Sequence, residues 1–282
     1  MILNGRKVAK EVLIGLKEKI QKSVEKPTLA VIIVGSNPSS ISYVNRKVVK
    51  CEEVGINSML IELAEDVSEK KLLSIIEDLN NKKDVDGILV QLPLPKHINP
   101  LKVTETISYK KDVDGFHPIN MGKLLLGYTD GFIPCTPLGI KTLLDNFDIP
   151  LAKKHVVIVG RSNIVGKPLA AMLIQRKTNA TITIAHSYTQ DLKSITKTAD
   201  ILVASVGKPN FITADMVKDG SVVIDVGINK IVGTNHISKI VGDVDFENVS
   251  KKASFITPVP GGVGPMTIAS LMQNTFKSFQ ER

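Results

Sequence analysis

Apolar positions recur along this chain in two alternating rhythms. Helical spacing runs over residues 5–25, and the unbroken apolar run LAVIIVG at 29–35 then reads as a buried strand ending at a glycine. A helix over 39–54 stops at Gly55. A strand over 56–62, a helix over 68–80 and a strand within DGILVQLPLP (86–95) follow. This alternation predicts βαβ units, and so a parallel sheet with helices on its faces. From 100 to 135 glycine and proline become more frequent, and 137–147 reads as a connecting helix. A second series begins with HVVIVG (155–160) and continues through TITIA (181–185), DILVASVG (200–207) and SVVIDVG (221–227), with ASFIT as its last strand. Short β-rich runs separated by helical segments predict a doubly wound nucleotide-binding domain. Ile268, Leu271, Met272 and Phe276 then recur at helical spacing, in a last helix expected to return to the first domain. The fold predicted is two α/β domains, the second a Rossmann-like doubly wound parallel sheet, with a cleft between them. Residues 1–120 plus 264–282 form the first domain, and 121–263 the second.

Composition narrows the function. Hydrophobic residues make up 43% and charged residues 23% of the 282 positions, as in soluble globular proteins. No apolar run approaches the roughly 18 residues of a membrane span. MILNGRKVAK is not followed by the apolar stretch of a signal peptide, and Cys51 and Cys135 are too few for a disulfide framework, so a reduced, cytoplasmic setting is expected. The net charge is +8, but the lysines are scattered, aromatics are only 4% and there is no Trp, which argues against nucleic acid. A field that attracts a small polyanion and lysine-rich solubility are both open readings.

In HVVIVG-RSNIVG-KPL, Gly160 ends a strand and Gly166 opens a helix, where backbone can approach a phosphate at the helix N-terminus. The spacing is not the plain dinucleotide fingerprint. After TITIA come His186 and Ser187, with no acid to hold a ribose 2′-hydroxyl, and Arg161 stands in the glycine loop. That set suits a 2′-phosphate and predicts NADP over NAD.

In the first domain, Ile41, Val44, Val48 and Cys51 share a helix face, and Tyr43 and Lys47 stack four apart on its flank. Such a pair can clamp a flat heterocycle and present an amine of lowered pKa, although a snorkelling lysine is the simpler reading. Gln91 follows a strand at its C-terminal end and can bond Lys47 without adding charge. Asp112 and Asp114 in KDVDGFHPIN could pair with an amino-pyrimidine edge or serve the turn itself.

YVNRK with EEVGI, DGILVQLPLP, KDVDGFHPIN with MGKL, PCTPLG, GRSNIVGKP, VGDVDF and TPVPGGVGPMT occur in one order over nearly the whole chain. Together they resemble the bifunctional methylenetetrahydrofolate dehydrogenase/methenyltetrahydrofolate cyclohydrolase family. The resemblance implies NADP-dependent oxidation of 5,10-methylenetetrahydrofolate to the methenyl form, then hydrolysis to 10-formyltetrahydrofolate, in a cytoplasmic homodimer serving purine, methionine and histidine biosynthesis. It implies no metal. It implies that Lys47 is the central catalytic residue, Tyr43 stacks on the folate, Gln91 tunes Lys47 and Asp114 holds the pterin. Leu92, Pro260, Gly261 and Gly262 would complete the substrate site, and Gly160, Arg161, Ser162, Gly166, Ser187 and Ile228 the NADP site. One departure is Val49, where the family often carries a second basic residue; its loss could alter substrate-tail attraction or the pKa of Lys47, and keeps a dehydrogenase without the hydrolytic step as an alternative. A non-catalytic dinucleotide-sensing module is the other. TPVPGGVGPMT is expected to wall the active site, so that Gly262→Val would damage both activities and spare the fold.

Overall fold

The computed structural model describes residues 1–232 and 238–282. The chain packs as two compact units, each assembled from two pieces of sequence. Lys10–Cys135 with Ile268–Arg282 form a three-stranded unit, and Met1–Ala9 with Thr136–Thr267 form a five-stranded unit. The split thus falls at 135/136, and the first nine residues belong with the five-stranded unit.

The three-stranded unit contains most of α1 (Gly5–Gln21), then β1 (Thr28–Val34), α2 (Pro38–Val54), β2 (Asn57–Leu63), α3 (Glu69–Asn81), β3 (Gly87–Val90), α4 (Pro100–Thr106) and α5 (Pro118–Leu126). Its sheet is parallel in the order β2-β1-β3. On one face Leu72, Ile76 and Leu79 of α3 and Val103 of α4 pack against Ala30, Ile32, Ile88 and Val90. A parallel sheet covered by helices needs strands that are apolar throughout, and β1 and β3 meet that requirement.

The five-stranded unit follows with α6 (Cys135–Asn146), β4 (His155–Val159), α7 (Gly166–Leu173), β5 (Thr181–Ala185), α8 (Leu192–Thr196), β6 (Ile201–Ala204) and β7 (Val222–Asp225). It ends with β8 (Asn229–Val232), β9 (Ser238–Val241), α9 (Phe246–Val249), β10 (Phe255–Ile256) and the start of α10 (Val263–Glu281). The strand order β10-β7-β6-β4-β5 is parallel throughout, the doubly wound arrangement expected. β8 and β9 form a separate antiparallel pair whose connection lies outside the described residues.

Both sheets reverse direction of growth once. The chain passes from β1 outward to β2 and returns to β3 on the other side, as it passes from β4 to β5 and returns to β6. Loops diverge at such a point, and ligands in open α/β sheets collect there, beyond the carboxyl ends of the strands.

Two helices lie within the glycine- and proline-rich stretch. α4 is started by Asn99, whose Oδ1 accepts from Leu101 N at 3.0 Å, with Pro100 in the first turn. α5 is started by His117, whose Nδ1 accepts from Ile119 N at 3.1 Å, and stops at Gly127 with φ 81°. Pro100 and Pro118 are both first-turn prolines, where a missing N–H costs nothing. Among the described residues no helix is long and apolar enough to cross a membrane.

Candidate active site

Lys47 is 5% exposed. Val44, Lys47 and Cys51 are three and four residues apart, so the lysine stands in the core-facing stripe of α2 and not on its margin. The snorkelling alternative is overturned: the amine is inside. Its partner is Gln91, at the carboxyl end of β3, whose Oε1 accepts from Lys47 Nζ at 2.9 Å. Gln91 is itself fixed, because its backbone N donates to Ile32 O at 2.8 Å and its Nε2 to Leu92 O at 2.6 Å. The Tyr43 ring, one helical turn earlier, has its centroid 4.7 Å from Lys47 Nζ. Gln91 and α2 therefore meet where β1 and β3 diverge.

Asp114 completes the group. Burial lowers the pKa of Lys47 while the Asp114 carboxylate opposes the change; burial raises Asp114 while Lys47 opposes it. Burial, then Asp114, push the Tyr43 hydroxyl above its usual range, so it remains a neutral donor. The two aspartates of KDVDGF divide the roles that the sequence left open. Asp112, 2% exposed, is the turn residue: Oδ1 accepts from Gly115 N (3.1 Å) and Phe116 N (3.2 Å), and Oδ2 from His117 N (2.7 Å) and Asn120 Nδ2 (2.9 Å). Asp114, at the tip of that loop, is the one that senses Lys47. Cys135, which pattern reasoning passed over, lies with its thiol 3.3 Å from Val113 O and within hydrogen-bond reach of the Asp114 side chain.

Val49 is about half exposed and lines an open groove of about 600 Å³ along α2 with Ile41, Asn45 and Arg46. Positions 47 and 49 are separated by roughly 200° around a helix. Val49 therefore belongs to the surface flank, and the departure there leaves the surroundings of the Lys47 amine intact.

Tyr43, Lys47, Gln91, Leu92 and Asp114 all belong to the three-stranded unit, whereas Pro260, Gly261 and Gly262 belong to the five-stranded one. That glycine pair is packed against the chain's first residues: Arg6 N donates to Gly261 O at 3.0 Å. A Cβ at Gly262 would lie 2.6 Å from Pro258 O and 2.8 Å from Thr257 Cβ, and one at Gly5 would lie 1.9 Å from Gly262 O. The expectation that Gly262→Val spares the fold is thus overturned, since backbone occupies the space a side chain would need.

In the five-stranded unit, Gly160 follows β4 with φ 131°, and a Cβ there would fall 2.2 Å from Ser205 O, just after β6. A glycine is required for β4 and β6 to end side by side at their divergence. Gly166 opens α7, where a Cβ would fall 2.1 Å from Gly160 O, and Ser162 Oγ accepts from Val165 N at 3.1 Å. Arg161 and Ser187 are exposed, and the Arg161 guanidinium lies 6.0 Å from the ring centroid of Tyr188, joining the loops after β4 and β5. Among the described residues Arg161 has no ion-pair partner. A cation and hydroxyls without a carboxylate are a donor set that fits a phosphorylated ribose. Ile228 is 62% exposed, just before β8. Asp243, fully buried, was not singled out: its carboxylate accepts from Val206 N (2.6 Å), Gly207 N (2.9 Å) and Lys208 N (2.9 Å), and so shapes the loop after β6. VGDVDF contains it, but a motif does not say which aspartate is buried.

Residues 134–282 match the NAD(P)-binding domain, and residues 3–114 the catalytic domain, of tetrahydrofolate dehydrogenase/cyclohydrolase. A bifunctional FolD protein of Protochlamydia amoebophila is 54% identical over 286 residues, covering 100% of this chain and 98% of that relative. The crystal structure of the bifunctional FolD methylenetetrahydrofolate dehydrogenase/cyclohydrolase of Campylobacter jejuni is similar with a TM-score of 0.95 at 49% identity, covering 100% of this chain and 99% of that one. The Trypanosoma brucei enzyme, solved with NADP cofactor and an inhibitor, is similar with a TM-score of 0.94 at 33% identity over 100% of this chain and 97% of that one.

Proposed function

The chain belongs to the tetrahydrofolate dehydrogenase/cyclohydrolase family, and we propose from that premise that Lys47, Tyr43, Gln91 and Asp114 carry its folate chemistry. It is a methylenetetrahydrofolate dehydrogenase and methenyltetrahydrofolate cyclohydrolase that uses NADP. The observation that carries the assignment of residues is the buried Lys47 amine held by an uncharged acceptor, Gln91 Oε1.

NADP, when bound, would supply the hydride acceptor for the methylene carbon of the substrate. Gly160, Arg161, Ser162, Gly166, Ser187 and Ile228 would hold the dinucleotide, with Arg161 and Ser187 on the 2′-phosphate. The flanking folate nitrogens stabilise the cation formed from the substrate, so the first step needs no proton from the protein. Tyr43 would supply a flat face and Asp114 a carboxylate for the amino edge of the pterin, with Leu92 in the three-stranded unit and Pro260, Gly261 and Gly262 in the five-stranded unit as the further substrate residues the family implies.

Hydrolysis needs a base. As water oxygen bonds to the methenyl carbon, Lys47 Nζ takes a proton from it. The ammonium returns a proton to the ring nitrogen when the carbon–nitrogen bond breaks, and the second water proton leaves to solvent. Only a neutral amine can begin this cycle, and burial together with a cationic substrate favours that form. Feeding the protein methylenetetrahydrofolate and NADP⁺ and following methenyl and formyl products tests the assignment. Lys47→Met should leave the methenyl product accumulating, and wild-type formyl production by that variant would refute it.

The coarser features of setting rest on the family. We infer a cytoplasmic homodimer feeding one-carbon units to purine, methionine and histidine synthesis. β5 ends the strand order of its sheet with Ile184 and Tyr188 exposed, which supports association through the five-stranded unit; a monomer in sedimentation would exclude it.

A further inference from the structure

Asn274 lies in the middle of α10 and is 4% exposed. Its amide group spends both hydrogens on backbone carbonyls far away in sequence: Nδ2 donates to Val113 O at 2.8 Å and to Ile133 O at 3.0 Å, with Cys135 Sγ at 3.7 Å. The two carbonyls belong to the two chain segments that form the Asp114 neighbourhood. Their packing is tight, since a Cβ at Gly115 would lie 2.6 Å from Pro134 N and 2.7 Å from Ile133 C.

From this geometry we infer that Asn274 is a positioning residue for Asp114. The carbonyl of Val113 and the N–H of Asp114 share one planar peptide group, so fixing the oxygen fixes the plane from which Asp114 leaves the backbone. Asp112 holds the following residues through Gly115 N, Phe116 N and His117 N. Asp114 is therefore clamped before and behind, and neither clamp touches its carboxylate, which remains available to Lys47 and to a ligand. Only a planar amide offers two diverging donors at this point; Asp would face two carbonyls with acceptors, Ser has one donor, and Leu none. Gln lengthens the arm. A helix contributed by the last part of the chain thus reaches the reacting region without contributing a side chain to it.

The inference rests on the reading of Asp114 as a substrate contact, and the test separates the two. The dissociation constant for tetrahydrofolate is measured for wild type, Asn274→Ala, Asp114→Ala and the double variant, with NADP affinity and thermal melting alongside. If Asn274 acts through Asp114, Asn274→Ala weakens tetrahydrofolate binding about tenfold in the wild-type background and less than about twofold once Asp114 is gone, with NADP affinity unchanged. Equal losses in both backgrounds, or no loss in the first, overturn the inference. Asp114→Ala binding tetrahydrofolate like wild type instead removes the reading of Asp114 itself. Should Asn274→Ala fail to fold, Asn274→Ser, which retains one donor, enters the same cycle under the same criteria.

Discussion

Gln91 gives Lys47 an acceptor at 2.9 Å that brings no charge with it. Replacing Gln91 with Glu would put a carboxylate against the amine and favour the ammonium form. Burial lowers the Lys47 pKa, so the wild-type hydrolytic rate should rise with pH on a limb below lysine's ordinary value of about 10.4. In Gln91→Glu that limb moves to higher pH, because fewer amines are neutral at any given pH, while hydride transfer changes less. A limb that stays in place in the pH profile of kcat would show that Lys47 is not the titrating base.

Lys47→Met retains the length of the side chain and removes the proton-carrying atom. General acid–base catalysis contributes about 10²- to 10⁴-fold, and a loss of that order is expected in cyclohydrolase kcat. The dehydrogenase should fall much less. Separate assays of the two steps check this, and parallel losses would argue that Lys47 positions substrate for both.

Arg161→Ala removes the exposed cation in the loop after β4. A hydrogen bond to a charged group is worth about 1.5–3 kcal/mol, so the NADP-over-NAD preference in kcat/KM should shrink by about 10- to 100-fold. Most of the change should come from weaker NADP use. An unchanged ratio would move the selection elsewhere.

Gly262→Val should lower the melting temperature before any kinetic effect can be read, since the new Cβ would meet Pro258 O and Thr257 Cβ. Placing a side chain against fixed backbone costs about 1–3 kcal/mol or more. A variant that melts like wild type would mean that the 257–262 turn relaxes freely.

The strands, the doubly wound sheet and the Gly160 turn were legible because each rests on local pattern. The apolar runs at 29–35 and 155–160 are β1 and β4 almost to the residue, and a glycine was anticipated at the end of each. Lys47 was only half legible: the pattern Val44, Lys47, Cys51 has core spacing, but a charged residue in an apolar stripe reads as an interruption of it. Two aspartates in KDVDGF cannot be ranked without knowing which one finds four donors, as Asp112 does. Asn274 was not legible at all, because its partner Val113 is 161 residues away and a lone amide on an amphipathic helix has no pattern. Local chemistry announces itself in sequence; a long-range backbone clamp does not.

The interleaving of the two units has a consequence for how the molecule comes into being. The five-stranded unit needs Met1–Ala9, which precede the other unit's first piece, and the three-stranded unit needs Ile268–Arg282, which follow the other unit's last piece. Domains generally fold in order as they leave the ribosome. Here the three-stranded unit waits, with α10 missing from its core and Asn274 absent from the Asp114 loop, until Thr136–Thr267 of the other unit have been made. A single cut in the gene anywhere between residues 10 and 267 therefore parts at least one unit from one of its two pieces.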